Sequence, residues 1–238
     1  MRILITNDDG YDNLGIQLLA KWASKLGNVT VVAPKTEQSG TSHAIDFIHP
    51  TEIKKIPFSD GIEAYYMASS PADCVRFGVI GLERKYDLVL SGINKGVNVG
   101  GDIVYSGTVG AIFEASKHGI PAIAFSTFVD GQKHAYSQLD TVYKYITENK
   151  LLEENPLYNV NIPNEIKGIR ITYQGSQYFS DHFEKLDGDI YIQTGERIPD
   201  EYPYDLDRDT VAIHEGFISL TPLLATRTNM EIFYKHKK

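Results

Sequence analysis

The chain has a single cysteine, Cys74, among 238 residues. No internal disulfide can form, and a cysteine-rich zinc site is excluded. One thiol suits a reducing compartment, and a cytoplasmic location is expected. Long apolar runs are also missing: nothing approaches the ~18 residues of a membrane span. Asn7-Asp8-Asp9 interrupts the apolar N-terminal stretch too early for a signal peptide. Positive charge is scarce, with Lys+Arg 23 against Asp+Glu 31 and a net charge of -8. That balance argues against sequence-independent binding to duplex nucleic acid, which needs a basic surface. A small phosphate remains possible where a metal or backbone N–H groups supply the positive field. Two phosphate fingerprints are absent as well. There is no Gly-Lys-Ser/Thr of a Walker A loop and no GxGxxG after the first strand, so a dinucleotide-dependent enzyme ranks last.

What is present begins at the N-terminus. Ile3, Leu4 and Ile5 form a short apolar run that ends in Asn7, Asp8, Asp9 and Gly10. Such a run suits a buried parallel strand, with Gly10 permitting the sharp turn. Residues 13–26 carry Leu14, Leu18, Leu19, Trp22 and Leu26 at helical spacing, and Val29–Ala33 makes a second strand closed by Pro34. Strand, helix and strand in so few residues is a βαβ unit, so the sheet starts parallel. In an open α/β sheet, ligands bind outside the carboxyl ends of the strands, where Asp8 and Asp9 fall. Adjacent carboxylates repel, and desolvation makes this worse. A cation relieves the conflict, and hard oxygen ligands select Mg²⁺, Mn²⁺ or Ca²⁺. The bland reading is a pair of solvated or helix-capping aspartates.

The Ser/Thr/Gly-rich loop 35–44 follows the second strand on the same side of the sheet, and Ser39-Gly40 is its most turn-like point. Residues 45–68 read as short strands. Residues 70–83 read as a helix with Ser70 as cap and Pro71 at its first position; Cys74 on it is a small core residue. A third clear strand spans 87–94. A glycine-dense loop leads to a helix over 108–118, which puts Ser106, Gly107 and Thr108 at a helix N-terminus, where N–H groups and the dipole favour an anion. Alternatively, Ser106 or Thr108 merely caps that helix. A strand at 120–126, a helix at 136–150 and a strand at 158–162 complete an α/β core over 1–165. From about 166 the pattern changes to strands without helices, at 169–173, 189–193 and 213–220, followed by a solvated tail at 235–238. Tyr173, Tyr178, Phe179, Tyr191, Tyr202, Tyr204 and Phe217 place large aromatic area on this β-rich extension, and burying it against a second subunit would stabilise it.

Several stretches together are more specific than any one alone. They are Asn7-Asp8-Asp9-Gly10, Ser39-Gly40, Ser91-Gly92-Ile93-Asn94, then Asn98, Gly100 and Tyr105-Ser106-Gly107-Thr108-Val109-Gly110-Ala111. Asn159-Val160-Asn161-Ile162-Pro163 and Ser219-Leu220-Thr221-Pro222-Leu223 follow in that order. In this the chain closely resembles the SurE family of stationary-phase survival proteins, metal-dependent nucleotidases, from Met1 to about Leu223. The resemblance implies a Rossmann-like, mainly parallel sheet with helices on both faces, and a C-terminal β-rich extension (166–238) exchanged between subunits of a homodimer or homotetramer. It implies a metal site of Asp8, Asp9, Ser39 and Asn94, with Asn98 and Ser106, Gly107 and Thr108 beside the phosphate. The chain departs from the family pattern at Ser69-Ser70-Pro71, near Leu186–Asp189 and at Thr226, all outside the metal set.

The expected function is thus hydrolysis of nucleoside monophosphates, 5′ or 3′, with one divalent cation (Mg²⁺ or Mn²⁺) per subunit neutralising phosphoryl charge. Asp8 and Asp9 carry the catalysis. The nucleophile is either a water or Asp8 itself. His43 lies near Ser39 as a candidate acid for the leaving group, although lone loop histidines are commonly bystanders. A nucleotide-binding sensor without turnover is the alternative, since it would use the same pocket.

Overall fold

The structure is a computed structural model and describes residues 1–199 and 204–237. The first half alternates strands and helices: β1 (Arg2–Thr6), α1 (Leu14–Ala23), β2 (Asn28–Pro34), β3 (Ile53–Ile56), β4 (Glu63–Met67), α2 (Pro71–Arg76), β5 (Leu88–Lys95) and α3 (Gly107–Lys117). The second half comprises β6 (Ala122–Thr127), α4 (Gln132–Glu148), α5 (Leu151–Glu154), β7 (Leu157–Ile162), β8 (Gly168–Ile171), β9 (Phe179–Asp187), β10 (Ile190–Arg197), α6 (Asp209–His214), β11 (Phe217–Pro222) and α7 (Met230–His236). The spacing-based boundaries hold for the core helices to within a few residues. Asn13 caps α1 through its side chain, which accepts from the Gly15 N–H, and Ser70 caps α2 by accepting from the Asp73 N–H. The helix expected over 70–83 is α-helical only to Arg76 and continues as a π-turn over Phe77–Gly81.

Among the described residues, nine strands form one sheet in the order β3-β4-β2-β1-β5-β6-β7-β11-β8. The run from β4 to β7 is parallel throughout. The edge strand β3 runs antiparallel to β4, and β11 runs antiparallel to β7. Alternation along β1 assigns its two faces. Ile3 and Ile5 pack with α1 and α4, around Ile16, Leu19, Trp22 and Leu139. Leu4 points the other way, toward α2 and α3, with Cys74, Val75, Val109 and Ile112. Because both faces are covered, the central strands are buried at nearly every position. Each fully buried Leu or Ile contributes roughly 1.5–3 kcal/mol relative to exposure. Trp22 is core, as its spacing implies: its ring meets Phe125 and Tyr143 edge-on, and its Nε1 donates to Asp140 Oδ1 at 2.7 Å.

The extension expected from residue 166 is divided. β8 and β11 complete the main sheet, so a boundary at 166 cuts through one continuous sheet. Among the described residues, only the β9–β10 hairpin stands apart, exposed along nearly its whole length. The strand expected over 213–220 is corrected to a short helix, α6, followed by β11. An apolar run such as Val211-Ala212-Ile213 fits a buried helical turn as well as a strand, and periodicity does not separate the two. Residues 230–236 form an exposed helix instead of a bare tail. Two of the aromatics expected to await a partner are already placed: Tyr178 is buried beside Val99 and Ile213, and Phe217 lies under the Arg170 guanidinium. Tyr202 lies outside the described residues.

Candidate active site

Chain direction across the sheet reverses between β1 and β5. From β1 the chain builds outward through β2 and β4; from β5 it builds the other way through β6 and β7. A crevice opens at such a switch point, outside the carboxyl ends of the strands. Asp8 and Asp9 follow β1, and Asn94 lies at the end of β5, where the β5–β6 register shifts between Ser91 and Asn94. Asp8, Ser39, Asn94, Asn98 and Ser106 line one cavity of about 240 Å³. Asp9 sits at its margin, with Oδ2 accepting the Lys95 N–H at 3.0 Å.

Both oxygens of Asp8 are engaged by the first turn of α3. The Thr108 N–H donates to Oδ2 at 3.0 Å and the Thr108 hydroxyl to Oδ1 at 2.6 Å. The anion favoured at this helix N-terminus is therefore first the protein's own carboxylate. Thr108, expected beside the phosphate, is fully buried and faces Asp8. Ser106 caps the helix by accepting from the Val109 N–H at 3.1 Å, and its carbonyl accepts the Gly110 N–H. Among the described residues, the Gly107 N–H is the first-turn amide left for an outside acceptor. A Cβ at Gly107 would lie 3.0 Å from Asp8 Cβ, so the missing side chain is what lets α3 approach β1 so closely.

The electrostatics follow from burial. Desolvation pushes the Asp8 carboxyl up, against the Thr108 hydrogen bonds that pull it down. Asp9 is pushed up to about 6 by burial and by the Asp8 charge beside it. Two carboxylates in this state, with neutral oxygens beside them, fit a hard divalent cation. Asn94 donates its amide to the Gly96 carbonyl at 2.8 Å, which leaves its Oδ1 as the acceptor. Ser39, on the exposed tip of its loop, donates to Glu37 at 2.6 Å. Four oxygen donors of this kind, with two charges, would suit Mg²⁺ or Mn²⁺ better than zinc.

Asn98 is held on three sides. Its N–H donates to Asn161 Oδ1, its carbonyl accepts from both Asn159 and Asn161, and its amide donates to Ser126 Oγ, each at 2.8 Å. The paired asparagines of β7 thus fix the loop that presents Asn98. Asp209 on α6 fixes the same loop further along, accepting from the Gly100 N–H at 3.0 Å and the Gly175 N–H at 2.8 Å. Sequence reasoning missed Lys95, Asp102, Tyr105, Phe179 and Asp181, which also line the cavity. Asp102 accepts the Tyr178 and Phe179 N–H groups at 3.0 and 2.8 Å and so brings the hairpin base to the site. Lys95 and Asp102 lie in the glycine-dense loop and its flank, where the signal was visible; residues 178–181 carry none. His43 does not line this cavity, and its Nε2 meets Glu114 at 2.7 Å.

Known proteins are similar to this chain over most of its length. The family described as "Survival protein SurE" matches residues 3–181. The 5'-nucleotidase SurE of Thermoanaerobacter sp. (strain X514) is 41% identical over 233 residues, covering 94% of this chain and 92% of the relative. The 5'-nucleotidase SurE of Thermosipho melanesiensis is 39% identical, covering 97% and 94%. The crystal structure of the SurE protein from Aquifex aeolicus superposes with a TM-score of 0.81 at 37% identity, covering 100% of this chain and 98% of that one. The chain belongs to the SurE family.

Proposed function

We propose that this protein is a divalent-metal-dependent phosphomonoesterase that hydrolyses nucleoside monophosphates, at the 5′ or 3′ position, to nucleoside and inorganic phosphate. The observation that carries the reading is the adjacent pair of buried Asp8 and half-buried Asp9 at the β1/β5 switch point, with Asp8 in one crevice with Ser39, Asn94, Asn98 and Ser106. The names of the relatives, 5'-nucleotidase SurE, support the substrate class.

Asp8, Asp9, Ser39 and Asn94 would hold one Mg²⁺ or Mn²⁺ per subunit. When bound, such a cation supplies positive charge to the phosphoryl oxygens, the main requirement of phosphoryl transfer. Asn98, with one amide hydrogen spent on Ser126, has a second to offer a phosphate oxygen. The Gly107 N–H adds a donor along the α3 dipole. Ser106 lies at the same rim. Thr108 acts through Asp8, fixing the direction of both its oxygens. Those two hydrogen bonds draw electron density from Asp8, which favours a water over Asp8 as the nucleophile. Hydrolysis then adds water across the P–O ester bond. Release of inorganic phosphate from AMP or p-nitrophenyl phosphate in Mn²⁺, abolished by a chelator, is the expected result. Nucleotide binding without phosphate release would overturn it in favour of a sensor.

The same reading includes a homodimer or homotetramer in which the β9–β10 hairpin packs against a second subunit. Phe183, Leu186, Ile190 and Tyr191 are all more than half exposed on that hairpin. An isolated two-stranded hairpin is marginal in water. No helix among the described residues is long and apolar enough to cross a membrane.

A further inference from the structure

We infer that Glu114 and His43 are positioning residues for this site: they pin the loop that carries Ser39 along one face of α3. The inference rests on the metal-site reading of Asp8, Asp9, Ser39 and Asn94.

The loop lies on α3 at three successive points. A Cβ on Gly107 would stand 3.0 Å from Thr41 Oγ1. A Cβ on Gly110 would stand 2.3 Å from the Ser42 carbonyl oxygen and 3.0 Å from His43 Cα. One turn further, Glu114 Oε2 meets His43 Nε2 at 2.7 Å. Residues 107, 110 and 114 share one helix face. Two small residues let the loop backbone touch the helix, and a carboxylate at the end of the track captures the loop's histidine.

Glu114 is fully buried, and four basic side chains face it. Arg76 of α2 donates at 3.0 Å, His118 and Lys117 stand at 3.3 and 3.5 Å, and His43 completes the set. A buried carboxylate needs such partners, and removing one leaves its charge less compensated. The cluster therefore ties the loop to α2 and α3 together.

Upstream, the Gln38 N–H donates to the Asp8 carbonyl at 2.7 Å. Downstream, the Ser42 N–H and hydroxyl donate to the Tyr105 and Val104 carbonyls at 2.9 and 2.6 Å. Between these anchors Ser39 and Gly40 are exposed, and nothing lies within 4 Å of a Cβ built on Gly40. Apart from the bond of its hydroxyl to Glu37, the place of Ser39 is set by its flanks. One flank is bonded to Asp8. The other is seated on the helix whose first turn holds Asp8. Glu114 lies six residues beyond Thr108 on that helix, about 9 Å along it. One rigid element thus sets both the direction of Asp8 and the reach of Ser39.

The test measures Mn²⁺ binding by calorimetry and Mn²⁺ activation of p-nitrophenyl phosphate hydrolysis in the full chain. Glu114→Gln removes a buried charge and endangers folding, so His43→Ala and Gly110→Ala carry the test. Gly110→Ala displaces the loop without changing any charge. Both are expected to weaken Mn²⁺ binding and raise the activation constant about tenfold, as loss of an outer-shell partner does, with a smaller loss in kcat. His43→Gln, which keeps a donor near the Nε2 position, should recover most of the affinity. A wild type that binds Mn²⁺ together with His43→Ala and Gly110→Ala proteins that bind it equally well would overturn the inference alone. A wild type that neither binds nor needs a divalent cation would overturn the metal reading, and this inference with it.

Discussion

Thr108 gives both of its donors to Asp8, one to each carboxylate oxygen. A threonine that would otherwise serve an incoming anion instead fixes a charge already in the protein. Thr108→Val is therefore expected to resemble an Asp8 defect rather than a phosphate-binding defect. Its Mn²⁺ activation constant should rise roughly tenfold, the scale of a lost outer-shell contact. Inhibition by inorganic phosphate at saturating Mn²⁺ should change little. Asn98→Ala should do the reverse. Paired titrations of metal and phosphate check the division, and identical patterns in the two variants would refute it.

Asp8→Asn and Asp9→Asn each remove a charge from a site whose task is electrostatic. Each is expected to lower kcat at least ~100-fold. Circular dichroism must first show both proteins folded. Near-normal turnover in the two variants would remove the aspartate pair from the chemistry.

Glu114 makes a stability prediction with a definite sign. Burial pushes its carboxyl up, but His43, Arg76 and Lys117 outweigh it and hold the group down to about 2. A carboxylate depressed in the folded state stabilises the protein fully above its ordinary range near 4.5 and ceases to do so as pH falls through about 2. The gap in unfolding free energy between wild type and Glu114→Gln should thus be on the order of 3 kcal/mol at pH 7. It should narrow steadily below pH ~4.5. Urea unfolding at pH 7 and pH 3 measures it; a gap independent of pH would contradict the ionised, cation-bound state.

The hairpin prediction concerns assembly. Replacing residues 180–196 by a short Gly-Ser turn removes the exposed apolar surface of β9 and β10 while leaving β8 and β11 in the main sheet. The shortened protein is expected to be a monomer where the full chain is an oligomer, by light scattering behind size exclusion. An oligomer that survives the deletion would place the interface elsewhere.

Local pattern made the core readable. The apolar run Ile3-Leu4-Ile5 followed by carboxylates, and the helical spacing through Trp22, are consequences of neighbours in sequence, and they appear where periodicity put them. Asp8, Ser39, Asn94, Asn98 and Ser106 meet because strand ends share one side of a parallel sheet. The rest depended on contacts between distant residues. Phe179 and Asp181 reach the cavity where Asp102 binds the hairpin base, and no spacing rule announces that. Strand β9 is exposed at every position, so the in–out alternation that marks a strand never develops. The bond between Thr108 and Asp8 is illegible in the sequence for a different reason. A helix N-terminus favours any anion, and whether an internal carboxylate or a ligand occupies it depends on how closely α3 approaches β1 at Gly107.

The placement of the site between β1 and β5 also bears on the order of events in folding. Asp8, Asp9 and Ser39 come from one arm of the chain; Asn94, Asn98 and Ser106 come from the other. Ile3 pairs with Leu88 and Thr6 with Ser91, so some eighty-five residues separate the partners that must meet. Neither arm holds a complete donor set, however well it folds. A ribosome-bound chain that ends before β5 is bound to be inert, and in a refolding experiment recovered turnover timestamps the joining of the two arms rather than the collapse of either.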